Sequence, residues 1–191
     1  MFQTKVTRAE FATTWKRALN AARRTVGKQP LDKEPSKSWE AKMLLAEHSP
    51  IRLVEYDITF EGIKQWVTVH LVRHWLGFIP FVHSQREDRR KLEVPRDELP
   101  QGALNDMDVS VNAQAMINVS RKRLCNKASP ETRDAWQKVV DAVGKIDPVM
   151  AEKCVPNCVY RGFCPELESC GFVNYTKFKE MLEKYRNTTY D

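Results

Sequence analysis

The stretch from Arg52 to Trp75, RLVEYDITFEGIKQWVTVHLVRHW, changes its hydrophobic period halfway along, and that change decides the fold. Val54, Tyr56, Ile58 and Phe60 alternate with Glu55, Asp57 and Thr59, the period of a strand with one buried face. Gly62 is expected to stop that strand. From Ile63 the spacing becomes helical: Ile63, Trp66, Val67, His70, Leu71 and His74 fall at i, i+3, i+4, i+7, i+8 and i+11. Gly77 and Pro80 read as the breakers of this helix. A strand running directly into a helix predicts an α+β fold.

Upstream, Thr7 and Glu10 have capping-box spacing, and Phe11, Trp15 and Leu19 recur every fourth residue, which predicts an opening helix ended by Gly27 and Pro30. A polar linker, GKQPLDKEPSKS, leads to a short helix from about Trp39 to Ala46. Downstream, one helix is predicted from Val111 to about Leu124. Another begins with Ser129 as N-cap and Pro130 at the first helical position, burying Trp136, Val139, Val140 and Val143. YTKFKEMLEKY reads as a closing amphipathic helix. The expected organisation is a helix and linker over 1–36, a domain over 37–148, and a Cys-rich extension with the last helix over 149–191.

With 191 residues and 42% hydrophobic content, the chain can bury one core with a small appendage. Its 31 basic residues against 25 acidic ones give a formal charge of +6, which suits nucleic acid, a membrane surface or a phosphorylated ligand. Acids are interleaved with most of the basic residues, as on a solvated face. The apolar run around His70–Val82 is broken by Arg73, His74 and Pro80 and is too short to span a bilayer. MFQTKVTRAEF has no apolar signal-peptide core, so a reducing cytoplasm is the expected compartment.

Five cysteines in such a compartment are thiols or metal ligands. Cys154, Cys158, Cys164 and Cys170 are spaced C-x3-C-x5-C-x5-C, which predicts either a structural Zn2+ site with four thiolates or a loop of free buried thiols. Cys125 has no histidine partner in sequence and reads as structural. His48, His70 and His83 lack metal-ligand spacing. The sequence contains no Gly-rich phosphate loop, no Ser-His-Asp pattern and no GxSxG elbow.

Two segments carry more specific chemistry. HLVRHWLGFIPFVHSQRED sets an apolar run against Arg73, His74, Ser84, Gln85 and Arg86, a combination suited to a flat anionic ligand. In VNAQAMINVSRKR, Asn112 and Arg123 stand eleven residues apart; on a helix they would share one face about 16 Å apart, with Met116 and Val119 between them.

EHSPIRLVEYDITFEGIKQWVTVHLVRHW, together with RDELPQGALNDMDVSVNAQAMINVSRKR, resembles the flavin-dependent thymidylate synthases, the ThyX family. The matching residues are the Ser49-Pro50 turn, Arg73 and His74 of an Arg-His-Arg motif, and Ser84, Gln85 and Arg86 of a nucleotide-gripping loop. Arg96, Leu99, Pro100, Asn112, Ala113, Asn118 and Arg123 complete the set. The resemblance covers roughly residues 40 to 145. It departs at Trp75, the third position of Arg-His-Arg, at Phe78 and Pro80, and in a short segment between Arg86 and Arg96.

The resemblance implies an antiparallel sheet flanked by helices, sites built between the subunits of a homotetramer, and reduced FAD as hydride donor. NADPH and methylenetetrahydrofolate would be cosubstrates, and a deoxypyrimidine monophosphate, dUMP above all, the substrate. Arg86 and Arg96 would anchor the phosphate, with Ser84 and Gln85 beside it. Arg73, His74, Asn112 and Asn118 would contact the flavin, with Ser49 either an N-cap or a flavin phosphate contact. Arg123 would polarise the pyrimidine carbonyl, and Trp75 and Phe78 would form apolar walls. The alternatives are an enzyme acting on dCMP or adding a hydroxymethyl group, and a non-catalytic, zinc-containing nucleic-acid-binding relative.

Overall fold

A computed structural model describes residues 3–89, 91 and 94–190. Its centre is a four-stranded antiparallel sheet of spatial order β1-β2-β4-β3, formed by β1 (Lys5–Thr13), β2 (Glu55–Lys64), β3 (Phe78–Val82) and β4 (Leu104–Asn112). β2 and β4 bury Tyr56, Ile58, Phe60, Ile63, Met107, Val109 and Val111 on one face. Asp57, Thr59, Asp108 and Ser110 lie on the other, as alternation requires.

Five expectations are corrected. Residues from Lys5 to Thr13 form β1 rather than the start of a helix, because Val6, Ala9 and Phe11 pair across to Phe60, Ile58 and Tyr56. The Phe11 and Tyr56 rings lie 5.2 Å apart, and helix α1 (Trp15–Thr25) starts only after them. Gly62 does not end β2; at φ +62° it sits in a bulge between Phe60 and Ile63, and the strand runs on to Lys64. The following helix, α3 (Gln65–Val72), therefore starts later and closes earlier than expected, leaving His74 in the turn beyond it.

Gly77 and Pro80 do not merely break a helix: Gly77 is in the turn directly before β3, and Pro80 lies within the strand. An edge strand accepts Pro80, since β3 pairs only with β4 among the described residues. Finally, Val111 and Asn112 belong to β4, and helix α4 (Ala113–Arg123) starts directly after Asn112.

The remaining helices are α2 (Lys37–Leu45), α5 (Pro130–Gly144), α6 (Pro148–Lys153), α7 (Asn157–Arg161) and α8 (Thr176–Arg186). Ser129 caps α5 by accepting from Thr132 N, with Pro130 at the first position, and the helix buries Trp136, Val139, Val140 and Val143. Asp147 is a buried hub. Its carboxylate accepts from Trp15 Nε1 at 2.6 Å and Tyr56 Oη at 2.7 Å, and caps α6 through Met150 N at 3.1 Å. A smaller apolar cluster, Val155, Val159, Phe178 and Tyr185, joins α7 to α8. Lys153, fully buried, donates to the last carbonyls of α8, including Tyr185 O at 2.7 Å. Among the described residues no helix is long and apolar enough to cross a membrane.

Candidate functional site

The ends of α3 and α4 meet. α4 starts where β4 ends, with the Asn112 side chain accepting from Ala115 N at 2.9 Å as N-cap, and it buries Met116, Ile117 and Val119 in the core. Met116 and Val119 are thus core residues rather than a ligand-facing strip. Arg123, the last residue of α4, reaches the turn after α3. Its Nε donates to His74 Nε2 at 2.9 Å, and its Nη2 donates to His70 O at 2.5 Å.

A guanidinium can only donate, so His74 Nε2 must be the accepting nitrogen and Nδ1 carries the proton of the neutral ring. Burial pushes the His74 imidazole down from 6.5 to about 4, and Arg123, Arg73 and Lys122 push the same way. His70 is also lowered, by burial first and then by Arg123 and Arg73; its Nδ1 lies 3.1 Å from Thr132 Oγ1. The Arg123 guanidinium is lowered by burial and by Arg73. Arg123, Arg73 and Lys122 thus make the surroundings of His74 cationic, a locus suited to an anion.

The loop from Arg73 to Gly77 is fixed to the start of α4. Asn112 N donates to Gly77 O at 2.9 Å. Gly77 sits at φ +71°, and a Cβ there would come 2.4 Å from Asn112 Nδ2. Sequence reasoning read Gly77 only as a breaker; the signal available was a glycine between the Arg-His pair and an apolar strand. Trp75 and Leu76 are 72% and 67% exposed beside Arg73. Phe78, expected as a second apolar wall, is instead buried, its ring 6.2 Å from Trp136.

The structure brings Arg73, His74 and Arg123 together, with Asn112 tied in through Gly77. The other candidates lie in separate local arrangements. Ser84 Oγ accepts from Arg86 N at 3.2 Å, and half-buried Gln85 lies between them. The Arg86 guanidinium grips Asp88 in a bidentate pair at 2.9 and 2.6 Å. Arg96 opens a short 3-10 turn, Arg96–Glu98, and its backbone N donates to Glu87 Oε1 at 2.9 Å, drawing it to the same loop. Asn118 is exposed on α4, 3.5 Å from Gln114 Nε2. Ser49 starts the 3-10 turn Ser49–Leu53, one position after the N-cap His48, so its hydroxyl is not the cap.

Cys154, Cys158, Cys164 and Cys170, with Cys125, line one cavity. Among the described residues no group of three or more His, Cys, Asp or Glu side chains is placed to hold a metal ion. Cys154 follows α6 into the core beside Ser120, where burial pushes its thiol up to about 12. Cys158 is raised by burial, whereas hydrogen bonding from Ser169 lowers Cys164.

The cationic junction thus lies at one end of an antiparallel sheet backed by helices. In sequence the chain is similar to flavin-dependent thymidylate synthases, and in fold to solved ThyX structures. It is 30% identical over 101 residues to the flavin-dependent thymidylate synthase of Pyrococcus horikoshii, a match covering 49% of this chain and 42% of that one. To the enzyme of Clostridium tetani it is 29% identical over 85 residues, covering 44% and 34%. A longer match, 22% identical, joins it to the enzyme of Nitratidesulfovibrio vulgaris, covering 74% and 78%.

The chain thus spans less than half the length of the first two of these relatives. No family model matches it. Among solved structures it is similar to Helicobacter pylori ThyX with FAD and dUMP, with a TM-score of 0.63 at 15% identity, covering 81% of this chain and 99% of that one. It is also similar to the UMP/dUMP methylase PolB of Streptomyces cacaoi bound with 5-Br dUMP, with a TM-score of 0.63 at 13% identity, covering 84% and 95%. These structural matches establish the fold.

Proposed function

We propose that the chain carries out flavin-dependent methylation at C5 of a deoxypyrimidine monophosphate, dUMP to dTMP, in the cytoplasm and as a homotetramer. The observation that carries this reading is the junction of Arg73, His74 and Arg123, where two guanidiniums act on a neutral imidazole. FAD and dUMP, bound by Helicobacter pylori ThyX, are both anions with flat rings.

The residues present fit FAD. Arg73 and His74 Nδ1–H offer donors to its phosphate or ring oxygens, Trp75 and Leu76 offer apolar surface, and Asn112 retains its Nδ2 donors beside Gly77. Asn118 and Ser49 are the more peripheral contacts. Bound flavin supplies the hydride, with NADPH reducing it and methylenetetrahydrofolate supplying the carbon.

Arg123 is held by two hydrogen bonds in a half-buried position, so its remaining donors are fixed in advance toward a developing oxyanion at the pyrimidine carbonyl. With that charge stabilised, C5 becomes nucleophilic and no cysteine attack is required. Arg96 and Arg86 serve the phosphate. For Arg86 this means exchanging Asp88, an exposed ion pair of small net worth, for a phosphate of higher charge.

Titration calorimetry with dUMP on the flavin-loaded protein tests this reading. Arg86→Ala and Arg96→Ala should each weaken binding about tenfold or more, as loss of a charge-assisted contact does. Unchanged affinity in both variants would overturn the site.

A further inference from the structure

Glu47 is the one non-glycine residue at positive φ, +48°, among the described residues. It stands where α2 ends. Glu47 N donates to Leu44 O and His48 N to Met43 O, both at 3.2 Å, the paired bonds of a helix terminus that ordinarily places glycine at this left-handed position. A residue with a Cβ is strained there and persists where its surroundings hold it. Here the carboxylate supplies the hold. Gln114 Nε2 donates to Glu47 Oε2 at 2.6 Å and Arg121 Nη2 donates to Oε1, binding the end of α2 to two positions two turns apart on α4. The Arg121 and Glu47 side chains are only 14% and 22% exposed, so water screens the pair far less than an ordinary surface ion pair.

Arg121 is itself placed by the C-terminal extension. Its guanidinium carbon lies 3.5 Å from the centre of the Tyr160 ring on α7, and Tyr160 meets Tyr185 of α8 edge-on at 6.3 Å. Arg121 Nε is buried without a hydrogen-bond partner among the described residues, so the ring and the ion pair, rather than a full set of hydrogen bonds, fix the group. Directly after Glu47 come the exposed His48 and Ser49, at the start of the 3-10 turn that packs on α4. On the other side of the network, Gln114 Nε2 lies 3.5 Å from Asn118 Oδ1. Ser49 and Asn118, the peripheral flavin contacts, thus flank one tether.

We propose that Glu47, Arg121 and Tyr160 are positioning residues through which the C-terminal extension sets the affinity for flavin. Tyr160 orients Arg121, Arg121 holds Glu47 in its left-handed conformation, and Glu47 fixes the His48–Ser49 turn against the α4 face that carries Asn118. None of the three touches the ligand. They act by ordering the turn before flavin arrives, so that binding does not bear the cost of ordering it. The proposal rests on the flavin reading of the site, whereas the tether itself is a property of the flavin-free chain.

The test measures two quantities on the full chain: amide hydrogen exchange over residues 47–51 without flavin, and the dissociation constant for FAD by fluorescence titration. Glu47→Asn tolerates the left-handed position but is uncharged and one methylene shorter, so it keeps the end of α2 and removes the tether. Tyr160→Leu removes the ring that Arg121 stacks on, and Tyr160→Phe keeps it. Glu47→Asn and Tyr160→Leu should each speed exchange over 47–51 and weaken FAD binding about tenfold, whereas Tyr160→Phe should match wild type in both. Circular dichroism checks the fold, and Glu47→Asn decides alone if Tyr160→Leu does not fold. Wild-type exchange in folded Glu47→Asn overturns the tether, whatever happens to flavin. Faster exchange at unchanged FAD affinity overturns the positioning role. A wild-type chain that binds no FAD overturns the flavin reading and the positioning role with it, while the exchange rates still decide the tether.

Discussion

Arg123 donates its Nε–H to Nε2 of His74 across 2.9 Å, joining the last residue of one helix to the turn after another, 49 positions away in sequence. The bond does two things at once. It holds the guanidinium in one orientation, and it forces the imidazole into the tautomer that carries its proton on Nδ1.

A pH dependence follows from this pair. The His74 imidazole lies near 4 instead of 6.5, so it favours folding above pH 6.5 and that contribution is lost as pH falls from 6.5 through about 4. Arg123→Met removes the second-largest cause of the shift and should move the imidazole pKa upward toward its ordinary value. NMR titration of the His74 ring resonances reads it directly. An unmoved midpoint in Arg123→Met would mean that the contact does not govern the ring.

Gly77 should be intolerant of a side chain. It combines φ +71° with a Cβ position 2.4 Å from Asn112 Nδ2, so Gly77→Ala must displace the residue that caps α4. The expected loss is about 2 kcal/mol or more in urea denaturation. Gly102→Ala, with open space and no positive φ, should stay within about 0.5 kcal/mol of wild type. Equal effects at the two positions would contradict the close approach.

Glu40 should give the stability curve a slope of opposite sign. Its carboxylate is buried on α2, with Lys37 Nζ at 2.8 and 3.1 Å, and burial raises its pKa from 4.5 to about 7, with nearby Asp147 adding to the rise. Between those values the folded chain holds a proton that the unfolded chain releases. Stability is therefore full below 4.5 and falls as pH rises through about 7. Glu40→Gln should flatten this slope and gain on the order of 1 to 3 kcal/mol at pH 8 relative to pH 5. Urea melts at the two pH values check it, and parallel losses in both proteins would count against the assignment.

How far the sequence carried depended on the range of the interactions involved. The start of α5 was readable because Ser129, Pro130 and Thr132 build the cap among themselves. β1 was not, because register shifts between Val6 and Arg8 and between Phe11 and Thr13 break its alternation, and Thr7 with Glu10 imitates a helix cap. Arg73, His74 and Arg123 were legible as residues of interest through their motif, but the contact between Arg123 and His74 depends on the approach of two helices that no local pattern encodes. The burial of Cys154 was not legible either, because the turn after α6 that carries it into the core beside Ser120 is not encoded in the cysteine spacing.

The most direct test of the account is single-turnover oxidation of the reduced flavin, followed at its visible absorbance, in the purified protein with dUMP and methylenetetrahydrofolate. Wild type should oxidise its flavin only when both are present, and Arg123→Ala should do so about 100- to 1,000-fold more slowly while still binding flavin, the loss expected of one fixed donor to a developing oxyanion. A wild-type protein that holds no flavin, or an Arg123→Ala protein that reacts at the wild-type rate, would contradict it.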